Sequence, residues 1–156
     1  MRYRLQPVLI ALARALPGAA HAQNITADDP GKIAATLQEA GYKAELTQDD
    51  QGDPKIKSSA GGANYSIYFY GCANNKHCQS IQFSAGFDLT NGTTLEVVND
   101  WNTKKRSGKV YLDADKDPYI EMDVNLAYGG VSRKGFLDTL DSWDRLLSDF
   151  QAHIDW

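Results

Sequence analysis

Three stretches of this chain bring chemically able side chains together. The first is "YFYGCANNKHCQSIQF", residues 68–83, which holds both cysteines, Cys72 and Cys78, with His77 beside the second. Two thiols and an imidazole at this spacing can ligate a metal, cycle as a redox pair, or form a permanent staple. Structural zinc needs four ligands, usually as two short-spaced pairs. No second pair exists here, and beyond residue 22 the only other histidine is His153. A thioredoxin-like redox pair has two residues between its cysteines at a helix start, whereas this pair spans a hairpin loop. In an exported chain an even cysteine count favours a disulfide; metal ligation and redox cycling are the alternatives. So short a loop adds only about 2–3 kcal/mol when closed, so the bond pins register more than it holds the fold.

The second stretch is "DADKDPYIEMDV", residues 113–124. Asp113, Asp115 and Asp117 stand where a calcium loop places its first three oxygen ligands, and Ile120 occupies the eighth position. The sixth position carries Pro118 instead of glycine, and the twelfth carries Val124, which has no ligand oxygen. The three aspartates are thus a weak calcium candidate, and acidic hairpin loops are common because Asp favours turns. The third stretch, "GGVSRKG" at 129–135, comes near the G-x-S-x-G nucleophile elbow but has one residue too many. A triad around Ser132 would also need a histidine, and neither His77 nor His153 has an obvious place in one. Ser132 is better explained as a helix N-cap. No catalytic residue and no cofactor are therefore expected. Tyr68, Tyr70 and Trp101 are the candidate contacts for a partner, since such rings form contact patches, although aromatic rings are more often partly buried.

The N-terminus sets the compartment. Arg2 and Arg4 precede an apolar run over residues 7–13, and Ala20-His21-Ala22 offers a cleavage site before Gln23. This is the pattern of a secretory signal peptide over 1–22, weakened by Arg14. The run falls short of the ~20 apolar residues of a membrane span. Residues 23–29 read as a polar, flexible new terminus, followed by one domain over 30–156. Of 16 basic side chains, cleavage removes Arg2, Arg4 and Arg14, leaving 13 against 20 acidic ones, a net −7. An acidic surface repels phosphate backbones, so nucleic acid is a poor partner. The location expected is periplasmic or secreted.

The elements that must position these residues follow from periodicity. Asp29 caps a helix with Pro30 first, Ile33, Ala34, Leu37 and Ala40 on one face, and Gly41 as its stop. Strands over 43–47 and 55–59 flank a turn-rich loop and pair Leu46 with Ile56 and Glu45 with Lys57. Strands over 64–71 and 79–87 alternate apolar and polar. Setting Cys72 opposite Cys78 places Phe69 against Ile81 and Ile67 against Phe83, with Tyr68 and Tyr70 on the other side. Thr93 and Glu96 form a capping box for a helix to about Thr103 with Leu95, Val98 and either Trp101 or Asn102 inward. Strands over 109–113 and 119–127 pair Leu112 with Ile120 and Val110 with Met122. Gly129-Gly130 is a hinge, and Ser132 opens a last helix with Phe136, Leu140, Trp143, Leu147, Phe150 and Ile154 as its apolar stripe. The order α-ββββ-α-ββ-α predicts an α+β fold with an antiparallel sheet of five to six strands.

The runs "AGYKAELTQDDQGDPKI", "YSIYFYGC" with a second cysteine before "QSIQFSAGF", "LEVVNDWN", "GKVYLDADKDPYIEMDV", "GGVS" and "FLDTLDSW" resemble the YbjN-domain family of bacteria, in particular its exported members. The resemblance covers about residues 30–150. It implies a fold like that of the class I type III secretion chaperones, which bind protein segments as dimers, and a regulatory role in sensory transduction. It carries over no catalytic residue. The expectation is a non-enzymatic exported module that holds a protein or peptide partner at the sheet face or an open edge, with a homodimer as one arrangement. A calcium or small-ligand binder using Asp113, Asp115 and Asp117 is the alternative, and a hydrolase centred on Ser132 a distant third.

Overall fold

The computed structural model describes residues 24–156; the signal peptide expected over 1–22 lies outside the described residues. Nine elements follow one another: α1 (Pro30–Glu39), β1 (Glu45–Gln48), β2 (Pro54–Ala60), β3 (Ala63–Tyr70), β4 (Ser80–Gly86), α2 (Leu95–Lys104), β5 (Lys109–Leu112), β6 (Pro118–Asn125) and α3 (Arg133–His153). The class is α+β, with the expected order and a six-stranded sheet in the spatial order β1-β2-β3-β4-β6-β5. All neighbours are antiparallel.

The register of the central hairpin separates the two faces of the sheet. Phe69 pairs with Ile81 and Ile67 with Phe83, while Tyr70 pairs with Ser80 and Tyr68 with Gln82. Ile67, Phe69, Ile81 and Phe83 are almost fully buried. Alternation sends every second side chain to the opposite face, so the apolar set turns to the helices and the polar set away from them. The α3 stripe covers the inner face: Trp143 meets Tyr65 and Phe83, and Phe150 meets Phe87 and Trp101. All five of Phe136, Leu140, Trp143, Leu147 and Phe150 are buried.

Several local expectations need correction. Residues 24–29 are not loose. Ile25 exchanges backbone hydrogen bonds with Val131 at 2.8 and 3.0 Å, and Ile25 and Ala27 are fully buried. The signal was present in their apolar types but too short to register as a strand. Ala40 lies outside the buried face, as the exposed cap that ends α1. Helix α2 is capped by Thr94, not Thr93, because the Thr93 amide is held by the Lys116 carbonyl at 2.9 Å. That shift turns Leu95 outward, where it is 69% exposed. The β5–β6 pairing is also shifted, with Val110 against Ile120 and Leu112 against Pro118. The turn is tighter than expected: Asp113 and Asp117 close it backbone to backbone at 3.0 Å. Moving the pairing by two positions keeps each side chain on its face, so the core is unaffected.

The Gly129-Gly130 pair is more specific than a hinge. At Gly130 φ is +67°, and an added Cβ would lie 2.0 Å from the Ile25 carbonyl oxygen. The N-terminal strand needs that clearance to reach Val131. At Gly129 φ is +100°, yet nothing stands within 4 Å of an added Cβ. We therefore expect Gly130→Ala to lower stability by about 3 kcal/mol, combining backbone strain with displacement of the Ile25 bridge. Gly129→Ala should cost about 1 kcal/mol from conformation alone. Urea unfolding of both variants measures the difference, and equal losses would refute the steric role of the N-terminal strand.

Candidate functional site

The outer face of the sheet carries no helix among the described residues. It is populated by Lys55 and Lys57 of β2, Ser66, Tyr68 and Tyr70 of β3, Gln82 and Ser84 of β4, Tyr119, Glu121 and Asp123 of β6, and Lys109 and Tyr111 of β5, as the ladder pairings require. Tyr70 is 47% exposed, while Tyr68 is half-buried. The Lys55 ammonium sits 4.6 Å above the Tyr68 ring, a cation–π contact that orients both side chains. The Tyr70 hydroxyl donates to Gln82 Oε1 at 3.2 Å, and Gln82 Nε2 donates to Asp123 Oδ1 at 3.0 Å. Toward β5, Tyr111 stacks on Tyr119 at 5.4 Å between ring centres. Glu121, almost fully buried there, accepts from the Tyr111 hydroxyl at 3.0 Å and pairs with Lys109 Nζ at 2.6 Å. Burial and then the Glu121 hydrogen bond push the Tyr111 phenol up. The same carboxylate holds the Lys109 ammonium above its usual range. Burial, followed by the charge of Glu121, raises the Tyr70 phenol. The face is thus an ordered lattice of phenols, amides and ion pairs, with its rings fixed before anything docks.

A groove of about 510 Å³ runs between β2, β3 and β4, with Lys57, Ser66, Tyr68, Ser84 and Tyr119 along it and Tyr65 at its floor. The Tyr119 ring lies over Gly86, where a Cβ would meet the ring at 2.5 Å. Glycine at that position lets the ring lie flat against the sheet. Beneath the groove, on the helix side, sits a buried polar cluster. The Tyr42 hydroxyl donates to Asp144 Oδ2 at 2.5 Å. The Tyr65 hydroxyl finds no partner among the described residues; the Ser58 hydroxyl beside it donates to the Lys43 carbonyl at 2.6 Å instead. Burial pushes the Tyr65 phenol up to about 12, the Ser58 hydroxyl beside it opposes that shift, and the charge of Asp144 adds to it.

The candidates from sequence fall into separate places. Cys72 and Cys78 form a disulfide that closes the β3–β4 hairpin, so neither is free to hold a metal. His77 contacts Asp28 at 2.8 Å through Nδ1, on the surface. Asn75 Nδ2 donates to the Gln51 carbonyl at 3.1 Å and to Asp53 at 2.9 Å, docking the same loop on the β1–β2 turn. Asp113 accepts from the amides of Asp115 and Asp117, each at 2.9 Å, and Asp117 accepts from the Leu89 amide at 3.0 Å. These carboxylates lock a hairpin. Among the described residues no group of three or more His, Cys, Asp or Glu side chains is placed to hold a metal ion. Ser132 caps α3 by accepting from the Gly135 amide at 3.1 Å.

Trp101 requires the clearest correction: it is 1% exposed and offers no contact surface. Its indole donates to the Gly108 carbonyl at 2.8 Å while the ring packs on Phe150. Its neighbour Asn102 does something that sequence reasoning missed. Asn102 Nδ2 donates to the Val110 carbonyl and Asn102 Oδ1 accepts from the Val110 amide, both at 3.0 Å. One side-chain amide thereby satisfies both outward backbone groups of Val110 on edge strand β5. The signal was in the sequence, as an asparagine beside a buried tryptophan, but its partner lies eight residues on in a different element.

A family model named YbjN, described as "Putative bacterial sensory transduction regulator", matches residues 29–156. No curated protein matches the chain. No solved structure matches it. No helix among the described residues is long and apolar enough to cross a membrane.

The orphaned phenol beneath the groove sets an alkaline limit. Below pH ~10 Tyr65 keeps its proton whether the chain is folded or unfolded. Between pH ~10 and about 12 the unfolded chain releases that proton and the folded chain does not, so stability falls as pH rises through that window. We expect Tyr65→Phe to leave neutral-pH stability unchanged or improved by up to ~1 kcal/mol, because a buried hydroxyl without a partner contributes nothing. It should also flatten part of the alkaline loss, to which Tyr42, Tyr70, Lys109 and Tyr111, all raised, contribute as well. Urea midpoints at pH 7 and pH 11 provide the check; a loss of more than ~1 kcal/mol at pH 7 would show that the hydroxyl is satisfied.

Proposed function

The chain belongs to the YbjN family, and on that premise we propose that it is an exported, non-enzymatic regulatory module that holds a protein or peptide partner against the outer face of its sheet. The observation that carries this reading is the asymmetry of the sheet. One face is sealed by α3, while the other presents Tyr68 and Tyr70 beside a groove with no helix over them among the described residues. Rigid amphipathic rings give contact area at little entropic cost, and tyrosines are favoured at contact centres. The mixture of Lys55, Lys57, Glu121 and Asp123 around them favours a partner with alternating charge over a uniformly charged polymer.

Export is supported by the disulfide, which persists in oxidising compartments, and by the basic, apolar and A-x-A sequence ahead of Gln23. The regulatory description of the family fits a module that changes state by binding. The residues around the groove are suited to contact.

The test is photo-crosslinking in the native host. A photoreactive phenylalanine analogue at Tyr70 should give one discrete adduct. The same analogue at Tyr128, fully exposed but off this face, should not give it. Tyr68→Ala should cut the Tyr70 adduct about tenfold with unchanged folding. Equal labelling from both positions would overturn the face as the contact site. Intact mass from the same cells should place the mature terminus at Gln23, and a chain retaining residues 1–22 would overturn export.

A further inference from the structure

The two edges of the sheet are treated differently. At β5 the Asn102 amide occupies the outward backbone groups of Val110. At β1 the Gln38 side chain covers the Ala44 carbonyl at 2.8 Å, just before the strand begins. Among the described residues, Glu45–Gln48 has a neighbour on one side only. Leu46 belongs to the helix-side face, opposite the fully buried Ile56, yet is 48% exposed because the sheet ends there. A largely apolar groove of about 490 Å³ opens next to it, lined by Pro30, Gly31, Leu46 and Pro54 together with Thr47 and Gln48 of the strand itself. An unpaired edge beside an apolar groove is a template for strand addition.

We propose that the β1 edge receives the β1 strand of a second copy, antiparallel about a two-fold axis through Leu46, joining two six-stranded sheets into one. The choice of occupant rests on charge complementarity along the strand. A two-fold antiparallel pairing must keep helix-side residues opposite helix-side residues, or the two sheets would present opposite faces. Three in-phase registers give substantial overlap. With the axis through Glu45, two glutamates face each other. With the axis through Thr47, Glu45 faces Asp49 of the partner copy. Like charges directly opposite are destabilising. With the axis through Leu46, Glu45 faces Thr47, and Lys43 faces Asp49 twice by symmetry. The same axis sets the two Leu46 side chains against each other over the two apolar grooves. Of the three, only this register removes exposed apolar surface and places opposite charges together. The interface is distinct from the outer face that carries Tyr68 and Tyr70, so either reading can fail alone.

Sedimentation velocity of the purified protein over a concentration series tests it. We expect a species of twice the chain mass. Leu46→Lys sets two ammoniums on the axis and should weaken self-association about a hundredfold, with far-UV circular dichroism unchanged because the site is half-exposed. Leu46→Cys should cross-link to a covalent dimer under mild oxidation, and Thr47→Cys should not, since only the Leu46 register puts identical residues at position 46 together. Three results would each overturn the proposal: a single-chain mass at ~100 µM, a dimer that survives Leu46→Lys, or preferential cross-linking through Thr47→Cys. A dimer lost instead on substitution of Tyr68 or Tyr70 would assign self-association to the outer face and overturn the edge interface.

Discussion

The pairing of β3 with β4 is the constraint on which the rest of this fold depends. Phe69 against Ile81 and Ile67 against Phe83 put four apolar side chains under α3, and the intervening positions put Tyr68, Tyr70 and Gln82 outside. A slip of one residue would exchange those sets. A slip of β3 would bury Tyr68 and Tyr70 without partners and expose Ile67 and Phe69, a change that costs several kcal/mol on the polar side alone. The Cys72–Cys78 bond closes this same pairing at the hairpin end. β2 and β6 then build outward from β3 and β4 in matching phase, with Ile56 on Ile67 and Met122 on Phe83. One covalent bond and four side chains thus decide which surface is core and which is free.

Because the inner face is sealed by that register, the remaining freedom of the sheet lies at its rim and on its outer face. The two rims show how an edge can be managed within one molecule. β5 is closed by a side chain from α2, with the Trp101 indole anchoring that helix to Gly108 so that Asn102 arrives at the right height. Trp101 buries its ring against Phe150, so the lock is held by the same core that α3 completes. Among the described residues β1 has no equivalent device beyond Gln38, which covers the Ala44 carbonyl just before the strand begins. An unguarded edge invites association, and the contrast within one sheet implies that closure of β5 and openness of β1 serve different ends.

Much of the scaffold was legible in the sequence, because the information for it is local or nearly so. The period-two alternation of β3 and β4, the four-and-three stepping of α3, and the Asp29 and Ser132 caps all act over a few residues and emerged where expected. The failures share a cause. Thr93 looks like a cap until the Lys116 carbonyl, on a later hairpin, takes its amide. Residues 24–29 look loose until Val131 offers them a strand partner. Trp101 looks like a contact residue until α3 closes over it. In each case a partner far along the chain overrides a local preference, and only folding brings that partner near. The outer face itself was partly legible: alternation alone assigned Tyr68 and Tyr70 to it, whereas the Glu121 network joins β5 and β6 in a pairing that the turn tightens by two residues.

The groups most able to do chemistry are engaged in holding geometry. The thiols are joined, His77 ties its loop to Asp28, Ser132 caps a helix, and Asp113 spends its carboxylate on two amides of its own turn. A carboxylate that accepts several backbone amides is held in one position and is less available to move a proton or bind an ion. The outer face is built in the opposite way. Toward β5 the Glu121 carboxylate holds Tyr111 and Lys109 firmly, but Tyr68 and Tyr70 are oriented by weak partners, a lysine above Tyr68 and an amide beside Tyr70, which a docking side chain can replace at small cost. Strong contacts therefore lie where the fold must not move, and exchangeable ones where a partner can arrive. That division of interaction strengths is the physical ground for the proposed contact at Tyr68 and Tyr70.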